Sequence, residues 1–231
     1  MKKNFLIVFF LLISVASFAQ DGKRVAIGLT IGPSIDWISP KTQGYEKNGV
    51  SLGVRYGIPV DINFTKATNY YLSTGIKFEH TGGKLAFKHV LKEDLEEVDL
   101  ERKYNALYLT IPTGVKLKTP NFGDLVFAGN FGFLHSFRLS CKNIDKWTDA
   151  NGHSVTPDEK SEYNGCMFFK ESLYVGVGAE YIVQEDFRAS FYMNYAYTLS
   201  NFFTKKSLNY STNLREKGNL GSVEFVFGFH F

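Results

Sequence analysis

Apolar and polar residues alternate with a period of two along most of the chain, which is typical of β-strands whose two faces meet different surroundings. In the stretch VSLGVRYGIPVDINF (50–64), every even position is apolar, whereas the odd positions carry Ser, Gly, Arg, Pro, Asp and Asn. The average strand of a globular protein has about five or six residues. The pattern therefore predicts an unusually long strand over 50–64.

The same alternation predicts seven further strands. They lie at roughly 24–35, 69–81, 104–119, 124–140, 169–183, 187–200 and 221–231. Short connections near 65–68, 120–123 and 184–186 alternate with long ones near 36–49, 82–103, 141–168 and 201–220. An up-and-down antiparallel barrel has this arrangement, with tight turns at one rim and long loops at the other. We therefore predict an all-β, eight-stranded antiparallel up-and-down barrel.

Two kinds of eight-stranded barrel fit this periodicity. A soluble, lipocalin-like barrel turns its apolar residues inward, whereas an outer-membrane barrel turns them toward lipid. The residue sizes favour the second kind. Glycine is concentrated in the polar set, and a narrow lumen needs small residues. The apolar set is rich in Phe and Tyr, which suit contact with lipid. These glycines are Gly28, Gly32, Gly53, Gly57, Gly75, Gly114, Gly132, Gly176, Gly178 and Gly228. We predict a transmembrane barrel with short periplasmic turns and long extracellular loops.

The first residues, MKKNFLIVFFLLISVASFAQ, resemble a secretory signal, with Lys2 and Lys3 before an apolar run and a small-x-small site before Gln20. A transmembrane anchor is the alternative, but the apolar run is short for a span. We predict a signal peptide over 1–19 and one barrel domain over 20–231. Lys and Arg total 26 against 23 Asp and Glu, a balance that does not suggest a nucleic-acid partner.

The last strand, GSVEFVFGFHF, alternates aromatic residues and ends on Phe231. It resembles the terminal signal that the outer-membrane barrel assembly machinery recognises. Physically, this strand must pair with the first one, because an open sheet edge cannot face lipid. We therefore expect Phe231 to act in assembly.

Four motifs extend the resemblance to the whole chain after the signal: SFAQ (17–20), YLTIP followed by GVKLK (108–118), VGVGAEY (175–181) and FGFHF (227–231). Together they resemble the PorT-like outer-membrane β-barrels of the Bacteroidota. Members commonly have Glu where this chain has Thr110. The resemblance implies a place in the outer membrane, and the family name comes from a protein needed for type IX secretion. It therefore suggests an accessory role in protein secretion or envelope assembly as one functional alternative.

Charged residues recur on the face predicted to line the lumen. They are Arg24, Arg55, Asp61, Lys77, Glu79, Lys116, Arg138, Glu180, Arg188 and Glu224. The short turns place Arg55 beside Glu79 and Glu180 diagonal to Arg188, and neighbours on one face can interact. Buried charges must be paired, so we predict a luminal charge network of Arg55, Lys77, Glu79, Lys116, Glu180, Arg188 and Glu224 that plugs the barrel. A proton or small-ion path is the functional alternative.

Enzymatic function finds little support in the sequence. His135 and Ser136 are adjacent, so on a strand they point to opposite faces and cannot form a catalytic pair. The five histidines, at 80, 89, 135, 153 and 230, show no metal-ligand spacing. We therefore predict no catalytic residues, no metal site and no cofactor; a lipid-modifying barrel enzyme is the least favoured alternative.

The connection 82–103 contains acids at 93, 94, 96, 97, 99 and 101. A divalent-cation or partner site is one interpretation, and a solvated loop or short amphipathic helix is the other, since Leu91, Leu95 and Val98 have helical spacing. Cys141 and Cys166 bracket the next long loop, and export permits a disulfide between them. Strict alternation puts the two on opposite faces, so this disulfide requires a bulge or an irregular rim.

The sequence thus predicts an integral outer-membrane barrel with a structural or interaction role. Its expected partners are outer-membrane lipid and lipopolysaccharide, the barrel assembly machinery during biogenesis, and an envelope or surface protein of unknown identity that contacts the long loops. Trp37, Tyr45, Trp147 and Tyr163 in these loops are suited to the headgroup layer or to such a partner.

Overall fold

The computed structural model describes residues 25–63, 69–90, 97–148, 153–156, 161–162, 165–184, 187–204, 208–209 and 214–231. The predicted signal peptide, Arg24 and Tyr163 lie outside these residues. In the part of the chain just defined, no helix has the length and apolar character to cross a membrane.

Thirteen strands make up the described structure. They are β1 Val25–Pro40, β2 Tyr45–Lys47, β3 Ser51–Asn63, β4 Tyr70–Val90, β5 Glu97–Lys118, β6 Leu125–Thr148, β7 Ser154–Val155, β8 Ser161–Glu162, β9 Phe169–Gln184, β10 Phe187–Thr198, β11 Leu208–Asn209, β12 Leu214–Arg215 and β13 Gly218–His230. Eight of them form a closed antiparallel ring in the order β1, β3, β4, β5, β6, β9, β10, β13. The predicted eight-stranded barrel is confirmed.

The terminal strand closes this ring. β13 pairs with β1 on one side and with β10 on the other, and the Phe231 N–H donates to the Ile27 carbonyl over 2.8 Å. On the outer surface, the Phe187 ring lies 5.5 Å from both Phe229 and Phe231. The terminal strand therefore closes the barrel, and its outward-facing aromatic residues form part of an aromatic girdle at the short-turn rim.

The outer surface of the ring is apolar and exposed, and the inner surface is polar and buried. Leu52 is 82% exposed and Val177 60%, whereas Arg55 and Glu180 are 5% and 0% exposed. A water-soluble barrel has the opposite arrangement, because exposed apolar surface of this extent is unfavourable in water. The strands thus present their bulky faces to lipid, as predicted, with the short turns at the periplasmic end.

At the long-loop end, the structure differs from the prediction. The prediction of a loop or short amphipathic helix over 82–103 is wrong for the described residues of this range, because β4 continues to Val90 and β5 begins at Glu97. The ladder between them runs without interruption from Thr81↔Ala106 to Val90↔Glu97. Buried Val98 and Leu100 follow the two-residue period of a strand, whereas Leu91 and Leu95 lie outside the described residues.

These longer strands form a wall beyond the membrane band. β6 extends to Thr148, β2 pairs with β4 on one side of the wall, and β7 and β8 pair with β6 on the other. The described wall therefore consists of a hydrogen-bonded sheet that continues the barrel outward, in place of the irregular loops that the sequence suggested.

An apolar cluster fills the barrel where the wall begins, and we call it the apolar cap. Phe202 and Phe203 are 0% and 1% exposed and pack edge-on against Tyr104 at ring distances of 6.1 and 5.3 Å. Ile38 and Leu85, each 0% exposed, belong to the same cluster. Tyr104 lies on the extracellular side of Tyr108, which pairs with Glu79. The cap therefore covers the extracellular end of the polar lumen.

Candidate functional site

The candidate site is the polar lumen beneath the apolar cap. All seven residues of the predicted charge network lie on the inner face of the barrel, and each makes at least one ion pair there. They are Arg55, Lys77, Glu79, Lys116, Glu180, Arg188 and Glu224. They divide into two groups along the barrel axis, one toward the cap and one toward the periplasmic end.

The upper luminal cluster consists of three cations and three acids. Arg55 is its centre, with guanidinium nitrogens 2.9 Å from Asp36, 3.0 Å from Glu224 and 3.8 Å from Glu79. Lys77 lies 3.1 Å from Glu79 and 3.2 Å from Glu224. Lys170 reaches Glu79 across the lumen over 3.0 Å. Arg55 and Glu79 are directly opposite on β3 and β4.

Neutral side chains add hydrogen bonds to the upper luminal cluster. The Asn194 amide donates to Glu224 over 2.7 Å, and the Ser34 hydroxyl donates to Asp36 over 3.1 Å. Lys170 also donates to Ser136, whose hydroxyl accepts a hydrogen bond from Thr110. Thr110 is fully buried. It thus takes part in the cluster through Ser136.

The lower luminal cluster consists of Asp61, Lys116, Lys118, Glu180 and Arg188. Lys116 donates to Asp61 over 2.5 Å, and Lys118 donates to Glu180 over 2.7 Å. Arg188 lies 3.4 Å from Glu180 in the diagonal relation that the short β9–β10 turn sets. The Tyr192 hydroxyl donates to Glu180 over 2.6 Å.

Charge balance distinguishes the two clusters. Each cation of the upper luminal cluster can be matched with one acid, as burial requires, because an unmatched ion in a low-dielectric interior costs several kcal/mol. The lower luminal cluster has one more cation than acid, and its Arg188 side chain is 33% exposed toward the periplasmic rim. Water there can solvate the excess charge.

Two glycines allow luminal side chains to lie close against the backbone of the barrel strands. A Cβ on Gly176 would lie within 2.4 Å of the amide oxygens of both Asn130 and Asn194, and one on Gly114 would meet the Tyr174 hydroxyl at the same distance. Glycine therefore makes room for the neighbours that fill the lumen, which accounts for its enrichment on the inner face.

Cys141 and Cys166 form a disulfide in the structure. β6 carries the required irregularity, because the register of the β5–β6 ladder shifts between Leu107 and Tyr108 and leaves Leu139 as an extra residue. A bulge of this kind reverses which face the following residues occupy. Cys141 consequently turns inward at 6% exposure, while Leu139 remains outward at 53%.

Cys166 lies in a short segment that holds the apolar cap in place. Its carbonyl accepts a hydrogen bond from Arg138, and the Tyr108 hydroxyl donates to the next carbonyl, that of Met167, over 3.1 Å. The Met167 N–H donates to the Phe202 carbonyl over 2.7 Å. The disulfide thus joins β6 to the segment that pairs with the cap.

Four members of the two luminal clusters were absent from the predicted network: Asp36, Asp61, Lys118 and Lys170. Asp61 was placed on the predicted luminal face but not in the network. Asp36 lies beyond the predicted end of the first strand, which continues to Pro40. Lys118 and Lys170 occupy inward positions of β5 and β9 and are 9% and 2% exposed. For these two, the alternation itself was the available signal, since Lys118 follows Lys116 and Lys170 precedes Glu180 on the same faces.

The histidines occupy unrelated places. His80 packs outward against Tyr56, His230 faces inward near the Ser190 hydroxyl, and His153 is exposed, while the His89 side chain lies outside the described set. His135 faces outward, with Nδ1 3.5 Å from the Glu171 carboxylate. Across the residues that the structure describes, no group of three or more His, Cys, Asp or Glu side chains could hold a metal ion.

The acidic stretch near 97–101 carries its described acids on the outer face of the wall. Asp99 lies opposite Lys88, and Glu101 lies opposite Lys146. The acids at 93, 94 and 96 lie outside the described residues, and the Glu97 side chain is likewise not described. Where it is described, this surface therefore carries charges of both signs.

Comparison with known proteins gives a family for the whole barrel. The family model described as "Outer membrane protein beta-barrel domain" matches residues 18–229. No curated protein matches the chain.

Solved structures provide similar folds. Neisserial surface protein A is 11% identical and has a TM-score of 0.44, with coverage of 89% of this chain and 97% of that chain. The attachment invasion locus protein Ail of Yersinia pestis is 12% identical over 89% and 98%, with a TM-score of 0.32. The outer membrane protease OmpT of Escherichia coli is 8% identical over 91% and 97%, with a TM-score of 0.38. Likenesses of this kind say nothing of what this chain binds or does.

Proposed function

The chain belongs to the outer membrane protein β-barrel domain family, and we propose that it is a plugged barrel with a structural and interaction role at the cell surface. The observation that carries this proposal is the filled lumen, in which paired charges lie beneath an apolar cap. A barrel without an open path contributes to the envelope through its surfaces, and the extracellular wall is the surface that it extends furthest from the membrane.

The filling of the lumen supports this proposal over a solute or ion path. The interior of an eight-stranded barrel is only wide enough for its own side chains. Here Glu79, Glu180 and Lys170 are 1%, 0% and 2% exposed, and the ion pairs of Glu79 and Lys170 span the lumen. Phe202 and Phe203 then cover the polar lumen with apolar rings. These apolar rings offer a hydrated ion no hydrogen bonds.

Conductance is the direct measure of the plug. We expect the protein in planar bilayers to give no steps of porin size. A matched variant with Glu79→Ala, Lys170→Ala and Phe203→Ala removes one anion with its cation partner and one ring of the cap, so it keeps the charge balance and should raise the conductance. Steps of porin size from the unaltered protein would contradict the plugged lumen.

The proposed contact surface is a groove on the outer face of the wall that is bordered by charged side chains. It encloses about 700 Å³, with Ala86 among its lining residues and charged side chains of both signs around it: Glu46, Lys88, Asp99, Glu101 and Lys146. Exposed charges of mixed sign favour a polar protein partner through electrostatic complementarity. We propose an envelope or surface protein as this partner.

Photocrosslinking in intact cells tests the surface role. A photoreactive residue in place of Lys146, which lines the groove, should give a discrete crosslinked product with a protein. The matched control is the same residue in place of Val177, which is 60% exposed on the lipid-facing side of β9. Absence of any protein product from Lys146, or identical products from both positions, would argue against the wall as a contact surface.

An accessory role in protein secretion or envelope assembly is the second proposal, supported by the PorT-like motifs at 108–118 and 227–231. Export by a signal peptide over 1–19 and a role of Phe231 in barrel assembly belong to the same proposal. Deleting the protein and comparing the secreted proteins separates the alternatives, since an unchanged set of secreted proteins leaves only the structural and interaction role.

We propose no catalytic activity for the lumen. Its acids are held by cations at 2.5–3.9 Å, and the apolar cap separates them from substrates outside the cell. The proposal is therefore a binding and structural role without a cofactor.

A further inference from the structure

We propose a specific lipid-binding site on the membrane-facing surface of β5, β6, β9 and β10, which holds an acylated sugar lipid of the outer leaflet. His135 and Glu171 form its polar end, and an apolar groove forms the rest. The inference depends on the membrane orientation of the barrel and is independent of the proposed surface partner.

The polar end is unusual for a surface that faces lipid. His135 and Glu171 lie directly opposite each other on β6 and β9, both pointing outward. Among the outward-facing positions of the described membrane band, Glu171 is the only acid. These positions on β9 and its two neighbours include Leu125, Phe127, Phe131, Phe133, Phe137, Phe169, Leu173, Val175, Val177, Tyr181, Phe191, Met193 and Tyr195, all of them apolar or aromatic.

The carboxylate retains room for a ligand. His135 Nδ1 is 3.5 Å from Glu171 Oε1, and the two side chains are 33% and 34% exposed. The Phe133 ring stacks on the His135 ring at 6.4 Å, which orients the imidazole beside the carboxylate. Each side chain therefore keeps polar atoms accessible from the lipid side.

The height of the pair matches the headgroup layer. His135 is ten residues beyond Leu125, the first residue of β6 at the periplasmic end. A strand rise of about 3.3 Å per residue and a tilt of about 40° place it about 25 Å higher, which is the height of the apolar band of an outer-membrane barrel. The pair thus lies near the outer border of that band, one outward residue pair below Phe137 and Phe169, and the groove beneath it lies within the outer leaflet.

The apolar groove begins where the polar pair ends. It measures about 740 Å³ and is lined by Val115, Phe131, Phe133, Leu173, Val175 and Tyr195, among others. Phe133 and Leu173 are the next outward residues toward the periplasm from His135 and Glu171, and they are also directly opposite each other. An acyl chain in the groove would therefore have its headgroup at the pair.

The chemistry of the pair selects the headgroup. A carboxylate accepts hydrogen bonds, and an imidazole N–H donates one. A hydroxyl does both, so a sugar headgroup can donate to Glu171 while it accepts from the remaining ring nitrogen of His135. A carboxylate that faces lipid alone near the border of the band carries a small free-energy cost, and a hydroxyl that donates to it would offset this cost.

Four proteins test the site: the unaltered barrel, Glu171→Leu, Val175→Trp and Val177→Trp. Val175 lines the groove, whereas Val177 is the next outward residue of the same strand, is equally apolar and lies outside the groove. Each protein is purified from outer membranes in mild detergent, checked for folding by heat-modifiability, and analysed for bound lipid by mass spectrometry. A second measurement adds back purified lipopolysaccharide or phosphatidylethanolamine.

We expect bound lipopolysaccharide to fall at least fivefold in Glu171→Leu and Val175→Trp and to stay unchanged in Val177→Trp. Lipopolysaccharide, and not phosphatidylethanolamine, should bind again to the unaltered barrel. Equal lipid content in all four proteins, equal binding of both lipids, or a change in oligomeric state without a change in lipid would each overturn the site.

Discussion

Replacing Arg55 by leucine is expected to destabilise the barrel by about 3–5 kcal/mol, because removing one member of a buried ion cluster leaves its partners without compensation. Arg55 is 5% exposed and contacts Asp36, Glu79 and Glu224. Without it, Lys77 and Lys170 would face three acids. The loss can be measured by urea unfolding of the protein in lipid vesicles and by the temperature at which the folded band disappears from a gel.

A second substitution distinguishes charge imbalance from simple loss of packing. In the double variant Arg55→Leu and Glu224→Gln, two cations face two acids again, so part of the lost stability should return. Residues in direct contact are expected to show such coupling, and the double-mutant cycle measures it. Glu224→Gln alone should destabilise the barrel, because it leaves Arg55 and Lys77 with one acid fewer.

Arg188→Leu is the matched control. Arg188 is 33% exposed and contacts Glu180 over 3.4 Å at the rim of the lumen, and ion pairs of this kind contribute about 0–1 kcal/mol. If Arg55→Leu were no less stable than Arg188→Leu, or if Glu224→Gln did nothing to rescue it, the upper luminal cluster would not be the stabilising unit described above.

The sequence was sufficient to predict the barrel and the ion pairs between neighbouring strands. A one-residue slip would turn an entire strand inside out, so strands with two contrasting faces specify their register strongly. Short turns then fix which residues face each other. This is why Arg55 opposite Glu79 and Glu180 diagonal to Arg188 could be read directly from the spacing.

Contacts across the lumen could not be read in this way. Glu79 is on β4 and Lys170 on β9, which do not pair, yet the two side chains meet at 3.0 Å. Such a contact depends on barrel radius, strand tilt and side-chain rotamers, and none of these is expressed in the local alternation. The same holds for Arg55 and Glu224, which belong to β3 and β13.

The long-loop end was predicted least well, because the alternation there serves a different purpose. In the wall, apolar residues such as Phe87 and Leu100 turn inward to the cap, whereas in the membrane band they turn outward. Where the apolar residues change from the outer to the inner face of the sheet, the alternation along the sequence is broken, and this break resembles the end of a strand. The bulge at Leu139 also reverses the faces of β6, and nothing in the sequence marks its position.

Loss of the disulfide between Cys141 and Cys166 is expected to destabilise the extracellular end by about 3 kcal/mol, since a crosslink restricts the unfolded chain and typically contributes about 2–4 kcal/mol. The two cysteines are 25 residues apart in sequence. The segment at Cys166 also carries the hydrogen bonds to Phe202 and Thr204, so its release should loosen the apolar cap.

The effect should be local to the wall. In Cys141→Ala with Cys166→Ala, limited proteolysis from the outside should cut within 141–168 faster than in the unaltered protein. The membrane band should keep its folded position on a gel, because the luminal clusters do not involve either cysteine. Reductant should reproduce the faster cleavage in the unaltered protein and change nothing in the double variant. Equal cleavage of both proteins without reductant would show that the hydrogen bonds hold the cap without the crosslink.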